Sequence, residues 1–154
     1  MKVTVLSVGK IRDPFLERMI AAYMSRMSPN HKVAWESVPE VRGETRKEVV
    51  LEKEGLLLEK FFRERDRCVL LDESGDHFKS TEFARWIQNE TTTCPGRLIF
   101  VIGGPFGVSA DLHERASKKL ALSRMTFPHD LCVLILMEQL YRAFSILAGT
   151  AYHH

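Results

Sequence analysis

The sequence predicts an α/β domain: an open parallel sheet with helices on its faces. Three observations carry this. Five short β-rich runs alternate with five segments of helical length or pattern. The fourth run, Leu98-Ile-Phe-Val-Ile102, is continuously apolar, as expected of a strand covered on both faces. The last segment, about Asp130 to Leu147, is apolar nearly all round and should be a buried helix.

The elements follow in order. Val3 to Val8 is a strand closed by Gly9-Lys10. Phe15, Met19, Ala22, Tyr23 and Met27 recur at helical spacing, with Pro14 at the first helical position and Pro29-Asn30 as the break. Lys32 to Val38 is the second strand, and Pro39 to Thr45 a polar loop. From Arg46 to about Arg65, Val50, Leu57, Leu58, Phe61 and Phe62 define a long amphipathic helix. Gly55 inside it costs about 1 kcal/mol against alanine, which signals a close backbone approach.

Arg67 to Leu71 is a strand, with Asp72 to Asp76 as its turn. Ser80 caps a helix running through Gln88, in which Phe83, Trp86 and Ile87 share a face; Cys94-Pro-Gly96 stops it. After Leu98–Ile102 comes Gly103-Gly-Pro-Phe-Gly107, then a helix opened by Ser109 and Asp111. Leu120 to Ser123 is a short strand, Arg124 to His129 a loop, and Pro128 precedes the final helix, which Gly149 caps.

A length of 154 residues is that of one domain, 1–154, able to bury roughly 70% of its unfolded surface without disulfide or metal. Net charge is +2, from 22 basic against 20 acidic residues, which disfavours disorder and a strongly basic tail but leaves RNA binding open. Cys68, Cys94 and Cys132 are scattered, as in a reducing compartment, and Cys68 and Cys132 read as small core residues. No signal-peptide core or membrane span is visible, so a soluble, cytoplasmic protein is expected. The histidines show no metal-ligand spacing and imply no metal.

Four places could carry chemistry. Gly103-Gly104 follow the most buried strand, at the edge where open α/β sheets bind ligands and where glycine lets backbone approach a ligand closely. The stretch is neither a dinucleotide fingerprint nor a P-loop, so a dinucleotide-dependent oxidoreductase is disfavoured; a simple strand-to-helix turn explains it equally well. Leu122 to His129 returns to the same edge and sets His129 at a helix start. Glu138 and Arg142 stand four apart on a buried helix, a spacing suited to an ion pair that fixes the helix. The tail ends in Tyr152-His153-His154, an ordinary frayed terminus by position alone.

As a set, these stretches resemble the bacterial ribosomal RNA large-subunit methyltransferase H family. The resembling residues are the Val-Gly-Lys after strand one, Glu52-Lys-Glu-Gly55, Val101 to Gly107, Leu122 to His129, Glu138 to Ala143 and Tyr152-His153. The resemblance implies a SPOUT-type fold, whose C-terminal segment threads a trefoil knot, and a homodimer. It implies methylation of N3 of a pseudouridine in 23S rRNA on the assembled ribosome, with S-adenosyl-L-methionine as methyl donor. It places the cofactor against Leu71, Gly103, Gly104, Leu122, Ser123, Arg124, Met125, Thr126 and Phe127. It makes His129, Arg142, Tyr152 and His153 the catalytic candidates, with the tail reaching toward the dimer partner.

In that reading His129, or Tyr152 and His153, handles the N3 proton, while Arg142, oriented by Glu138, stabilises the developing anion or a phosphate. The cofactor is expected to be held largely by main-chain groups with little charge nearby. Relatives usually carry arginine where this chain has Val133, a place expected to face RNA or the dimer seam, and a basic residue where His154 stands. A non-catalytic RNA- or nucleotide-binding module on the same scaffold is the competing reading.

Overall fold

The computed structural model describes residues 2–27 and 31–153. Pro29, Asn30 and His154 lie outside the described residues. The chain runs β1 (Lys2–Val8), α1 (Pro14–Arg26), β2 (Lys32–Val38), α2 (Lys47–Glu59), β3 (Arg67–Asp76), α3 (Ser80–Thr93), β4 (Leu98–Ile102), α4 (Ala110–Arg115), β5 (Lys118–Leu120) and α5 (His129–Leu147). The strands form one sheet in the order β2-β1-β4-β3-β5, each parallel to its neighbours. The predicted α/β architecture and element order are therefore those of the molecule.

Period-two alternation divides the central strands between two apolar layers. Val3 and Val5 of β1 join Leu98, Phe100 and Ile102 of β4 in the larger layer, with Ile20 of α1, Phe83 and Ile87 of α3, and Leu136, Met137 and Leu140 of α5. Leu6 and Val8 join Ile99 and Val101 beneath Leu58 of α2 and Leu112 of α4. All five residues of β4 are buried. Burying each side chain of this size contributes about 1.5–3 kcal/mol, so the two layers, rather than helix propensity, hold the helices in place.

Below the sheet's amino edge, Arg97 closes the β4 entry. Its guanidinium donates to Asp66 (Nη2–Oδ2 2.5 Å) and to the Phe61 carbonyl (2.7 Å), and lies over the Phe61 ring. Burial pushes the Asp66 carboxyl up, but hydrogen bonds from Arg97 and from the Arg63 and Arg97 amides outweigh it and hold the group ionised.

Several element boundaries depart from the sequence reading, each for a local reason. The turn expected at 72–76 instead lies within β3. Both Leu71 and Asp76 pair with Leu120, so the residues between them bulge out of the ladder, with Ser74 N–H donating to Asp72 Oδ1 at 2.8 Å. The turn chemistry is present, but it makes a bulge rather than an end. Helix α2 stops at Glu59 rather than Arg65, because the Phe61 and Phe62 amides turn back to Leu58 and Glu59. Phe62 then packs under Arg115.

Helix α3 continues past Gln88 to Thr93, its last threonine hydroxyls donating to the Gln88 and Asn89 carbonyls. Its cap is Lys79, whose amide donates to Glu82 Oε2, while Ser80 reaches Gln139 of α5. Strand β5 is Lys118–Leu120, not Leu120–Ser123. Its lysines concealed it: Lys118 spends its stem along the sheet and sets its ammonium over Phe78 and beside Asp76.

Gly55 does mark a close approach, since a Cβ there would stand 2.7 Å from Ser109 Oγ. Cys68 is buried, and burial pushes its thiol up to about 12. Cys132 is half-buried: it packs against the larger layer and also forms part of a cavity wall. Val133 is fully buried in the larger layer, so the expectation that this position faces RNA or a dimer seam is corrected: its side chain points into the core. No helix among the described residues is long and apolar enough to cross a membrane.

Candidate active site

A cavity of about 540 Å³ opens at the carboxyl ends of β3, β4 and β5. Three chain segments build it: Leu70 to Glu73, Ile102 to Val108, and Leu122 to His129. Its volume falls within the usual range of small-ligand sites.

The glycine turn is shaped by contact rather than by flexibility. A Cβ on Gly103 would stand 2.6 Å from the Gly107 carbonyl oxygen, and Gly107 N–H donates to the Gly104 carbonyl at 2.9 Å. Gly107 has φ +85°, a conformation that glycine adopts without strain. The facing loop is pinned as well: Ser123 Oγ accepts from Met125 N–H, and Thr126 Oγ1 donates to Glu73 Oε2 at 2.8 Å.

At the start of α5, His129 lines the cavity. Its Nδ1 contacts Asp130 Oδ1 at 2.9 Å, while its Nε2 is buried without a hydrogen-bond partner among the described residues. Burial pushes the Asp130 carboxyl up, yet hydrogen bonds from His129 and from the Arg12 amide outweigh this and keep it ionised. His113 of α4 also lines the cavity with a buried, unpartnered Nδ1. Two buried ring nitrogens without partners among the described residues, on two residues that line one cavity, mark this wall as polar.

Of the residues expected to hold a cofactor, Leu71, Gly103, Gly104, Leu122, Ser123, Met125, Thr126 and Phe127 line the cavity; Arg124 does not. Asp72 and Glu73 line it too, so the wall carries more charge than the sequence suggested. S-adenosylmethionine fits this lining by size and chemistry: apolar walls for a base, and carboxylates for hydroxyl or ammonium donors.

The other catalytic candidates lie elsewhere. Arg142 donates through Nε and Nη2 to Glu138 Oε1 at 2.9 and 2.6 Å. Tyr152 donates to the same oxygen at 3.2 Å, and Arg142 Nη1 reaches His153 Nδ1 at 3.4 Å. The guanidinium also covers the Tyr152 ring, which packs edge-on against Tyr141. A hydrogen bond with Tyr23, burial and the Glu138 charge all hold the Tyr152 phenol in its protonated form. Thirteen residues of helix separate Arg142 from His129, about 20 Å along α5. The four candidates therefore form two groups, not one.

Glu54 escaped the sequence reading. It is 2% exposed, its Oε1 accepting from Val41 N–H at 3.1 Å while its buried Oε2 has no partner among the described residues. That oxygen would lie 2.9 Å from a Cβ on Gly104, so the carboxyl supports the glycine turn from behind. The signal was present: Val50, Glu54 and Leu58 stand four apart on the stripe that α2 buries. Burial pushes the Glu54 carboxyl above its ordinary value of 4.5, opposed by the Val41 amide and reinforced by Glu40.

A group with a raised native value binds its proton more tightly when folded, so stability falls as pH rises through the window above 4.5. Glu54→Gln should remove that slope. Thermal melts from pH 4 upward should show the variant gaining on wild type until Glu54 is fully ionised, and an offset independent of pH would contradict this.

An open parallel sheet, with a half-apolar cavity over its carboxyl edge and two backbone loops for walls, defines a ligand-binding α/β domain. A family model described as "Predicted SPOUT methyltransferase" matches residues 1–153. The chain is 39% identical to "Ribosomal RNA large subunit methyltransferase H" of Cytophaga hutchinsonii, with all of both chains covered. It is 40% identical to the protein of the same name from Phocaeicola vulgatus, over 100% of this chain and 99% of the other. The Carboxydothermus hydrogenoformans protein of that name is 39% identical over 99% of each. The chain belongs to the ribosomal RNA large subunit methyltransferase H family of SPOUT methyltransferases.

Proposed function

We propose that this protein is a cytoplasmic, S-adenosylmethionine-dependent methyltransferase acting on N3 of a pseudouridine in 23S rRNA, on the assembled ribosome and as a homodimer. The observation that carries the reading is the β3–β4–β5 cavity with His129 in its wall, its buried Nε2 without a partner among the described residues. When bound, S-adenosylmethionine supplies a methyl group already made electrophilic by its sulfonium, so the protein's task is alignment and proton removal.

The glycine turn and the 122–127 loop hold the cofactor, with Asp72, Glu73 and His113 available to its polar groups. His129 Nε2 accepts the N3 proton as the bond to carbon forms, and ionised Asp130 orients the ring and stabilises the imidazolium. Arg142, held by Glu138, offers a fixed guanidinium to the developing base anion or a phosphate. Tyr152 acts as a hydrogen-bond donor rather than a base.

The 20 Å or so between His129 and the Arg142–Tyr152–His153 cluster is the case for the dimer. One protomer cannot bring both to one nucleotide, whereas two copies related by a two-fold axis can each lend the tail cluster to the other's cavity. Exposed Phe15 and Met19 on α1, the helix whose Tyr23 meets Tyr152, give such a pairing apolar surface.

Incubating the protein with labelled S-adenosylmethionine and ribosomes from a strain lacking this methylation tests the reading. Label is expected in 23S rRNA of intact ribosomes, with weak transfer to naked rRNA. A thermal shift with the cofactor but no transfer would favour the non-catalytic module, and efficient methylation of a short free hairpin would remove the ribosome requirement.

A further inference from the structure

A second cavity, of about 480 Å³, lies at the carboxyl ends of β1 and β2. Its floor is Ile11, Val38 and Pro39, and its rim carries Lys10, Arg12 and Arg42. Gly9 makes the turn into it with φ +81°, its amide donating to the Val38 carbonyl at 2.8 Å. One carboxylate serves the rim: Glu40 Oε2 stands 2.8 Å from Arg12 Nη2 and 3.7 Å from Arg42 Nε. Both guanidiniums remain about 70% exposed, at 69% and 75%.

Neighbouring acids are already engaged. Asp13 caps α1 through the Phe15 amide, Asp130 accepts from His129 and the Arg12 amide, and Glu44 binds Arg46. Buried Glu54, whose carboxyl is pushed up by burial and by the Glu40 charge, accepts from the Val41 amide. Three cations over one shared carboxylate leave an excess of positive charge above an apolar floor. Two exposed planar forks on that rim match a phosphodiester, and the floor suits the sugar or base beside it.

The cavity is also wired to the first one. Arg12 N–H donates to Asp130 Oδ2 at 3.2 Å, Asp130 Oδ1 meets His129 Nδ1 at 2.9 Å, and His129 lines the cofactor cavity. The loop carrying Lys10 and Arg12 is thus held in register with the imidazole.

We propose that the β1–β2 cavity docks the phosphodiester backbone of the rRNA strand adjoining the target nucleotide, with Arg12 and Arg42 as its ligands and Glu40 as the group it displaces. This rests on the rRNA reading above. Strand held here is placed by the Arg12–Asp130–His129 connection so that the neighbouring nucleotide meets the imidazole. Glu40, by occupying the forks when RNA is absent, sets the threshold for binding.

The test measures ribosome binding across salt concentrations for wild type, the Arg12→Gln/Arg42→Gln double variant, and Glu40→Gln, alongside cofactor binding by calorimetry. The double variant should bind S-adenosylmethionine like wild type. It should bind ribosomes about tenfold or more weakly at low salt, with the slope of log K against log salt reduced by about 2. Its KM for ribosomes should rise while kcat at saturation holds.

Glu40→Gln should tighten ribosome binding, a gain that loss of a structural ion pair would not produce; it keeps the proposal testable if the double variant fails to fold. Unchanged affinity and slope in both variants, with wild type binding ribosomes, overturns the dock and leaves the methyltransferase reading standing. Wild type that neither binds nor methylates ribosomes overturns both.

Discussion

Gly103→Ala is expected to lose S-adenosylmethionine binding by about a hundredfold or more. The added methyl would stand 2.6 Å from the Gly107 carbonyl oxygen and 2.8 Å from its carbon, both backbone atoms of the same turn. Side chains could rotate away from such a clash, but this backbone can yield only by opening the 103–107 turn that forms one wall of the cavity. A hundredfold is about 2.7 kcal/mol, the scale of losing a wall and its hydrogen bonds together.

Gly107→Ala provides the contrast. Its Cβ meets nothing within 4 Å, so only the φ of +85° is penalised, at about 1–2 kcal/mol of stability with smaller loss of cofactor affinity. Calorimetric titration of both variants ranks them. Equal cofactor affinity for Gly103→Ala and wild type would mean that the turn is not part of the site.

The second expected result concerns mixtures. His129→Ala and Arg142→Ala should each retain cofactor binding and lose methyl transfer by about a hundredfold or more, the usual scale for a proton-handling or anion-stabilising group. Co-refolded in equal amounts, they should recover about a quarter of wild-type turnover. Half of the dimers are then mixed, and each mixed dimer holds one site with an intact cavity from one chain and an intact tail cluster from the other. Activity that stays at the level of the single variants would place both groups in one protomer's site, or place neither in the reaction.

Much of this architecture was legible in the sequence because local rules and tertiary packing agree there. Leu98–Ile102 is continuously apolar, and β4 is indeed covered on both faces. Pro14 starts α1, and Gly149, at φ +66°, follows the end of α5. Where local signals were read against an incomplete picture, they misled. Asp72-Glu-Ser-Gly forms the turn its residues dictate, yet β3 pairs with Leu120 on both sides of it, so the turn becomes a bulge. Lys118 and Lys119 do not look like strand, because a lysine's aliphatic stem can line a sheet while its ammonium finds aromatic rings and Asp76.

The site divides in the same way. Glycine positions and the 122–129 loop could be found from sequence because backbone constraint is written into residue type. The roles of Glu54 and His113 could not be read so directly, since each depends on what a distant segment places against it: Val41 and Gly104 for Glu54, and the cavity built by the β3, β4 and 122–129 segments for His113. Val133 shows the reverse error, a position expected at a surface that helix rotation turns into the core.

By itself, then, the sequence determined the class of fold, the order of its elements, the glycine turn and the family resemblance. These follow from periodicity, backbone preference and residue type, which act over a few positions. Only the tertiary structure decided that Tyr152 and His153 gather on Arg142 rather than at the His129 cavity, that Val133 is core, and that Arg12 connects a second, basic cavity to the first. Those facts depend on which faces of distant segments meet, and a parallel sheet brings such segments together through crossovers that no local rule encodes.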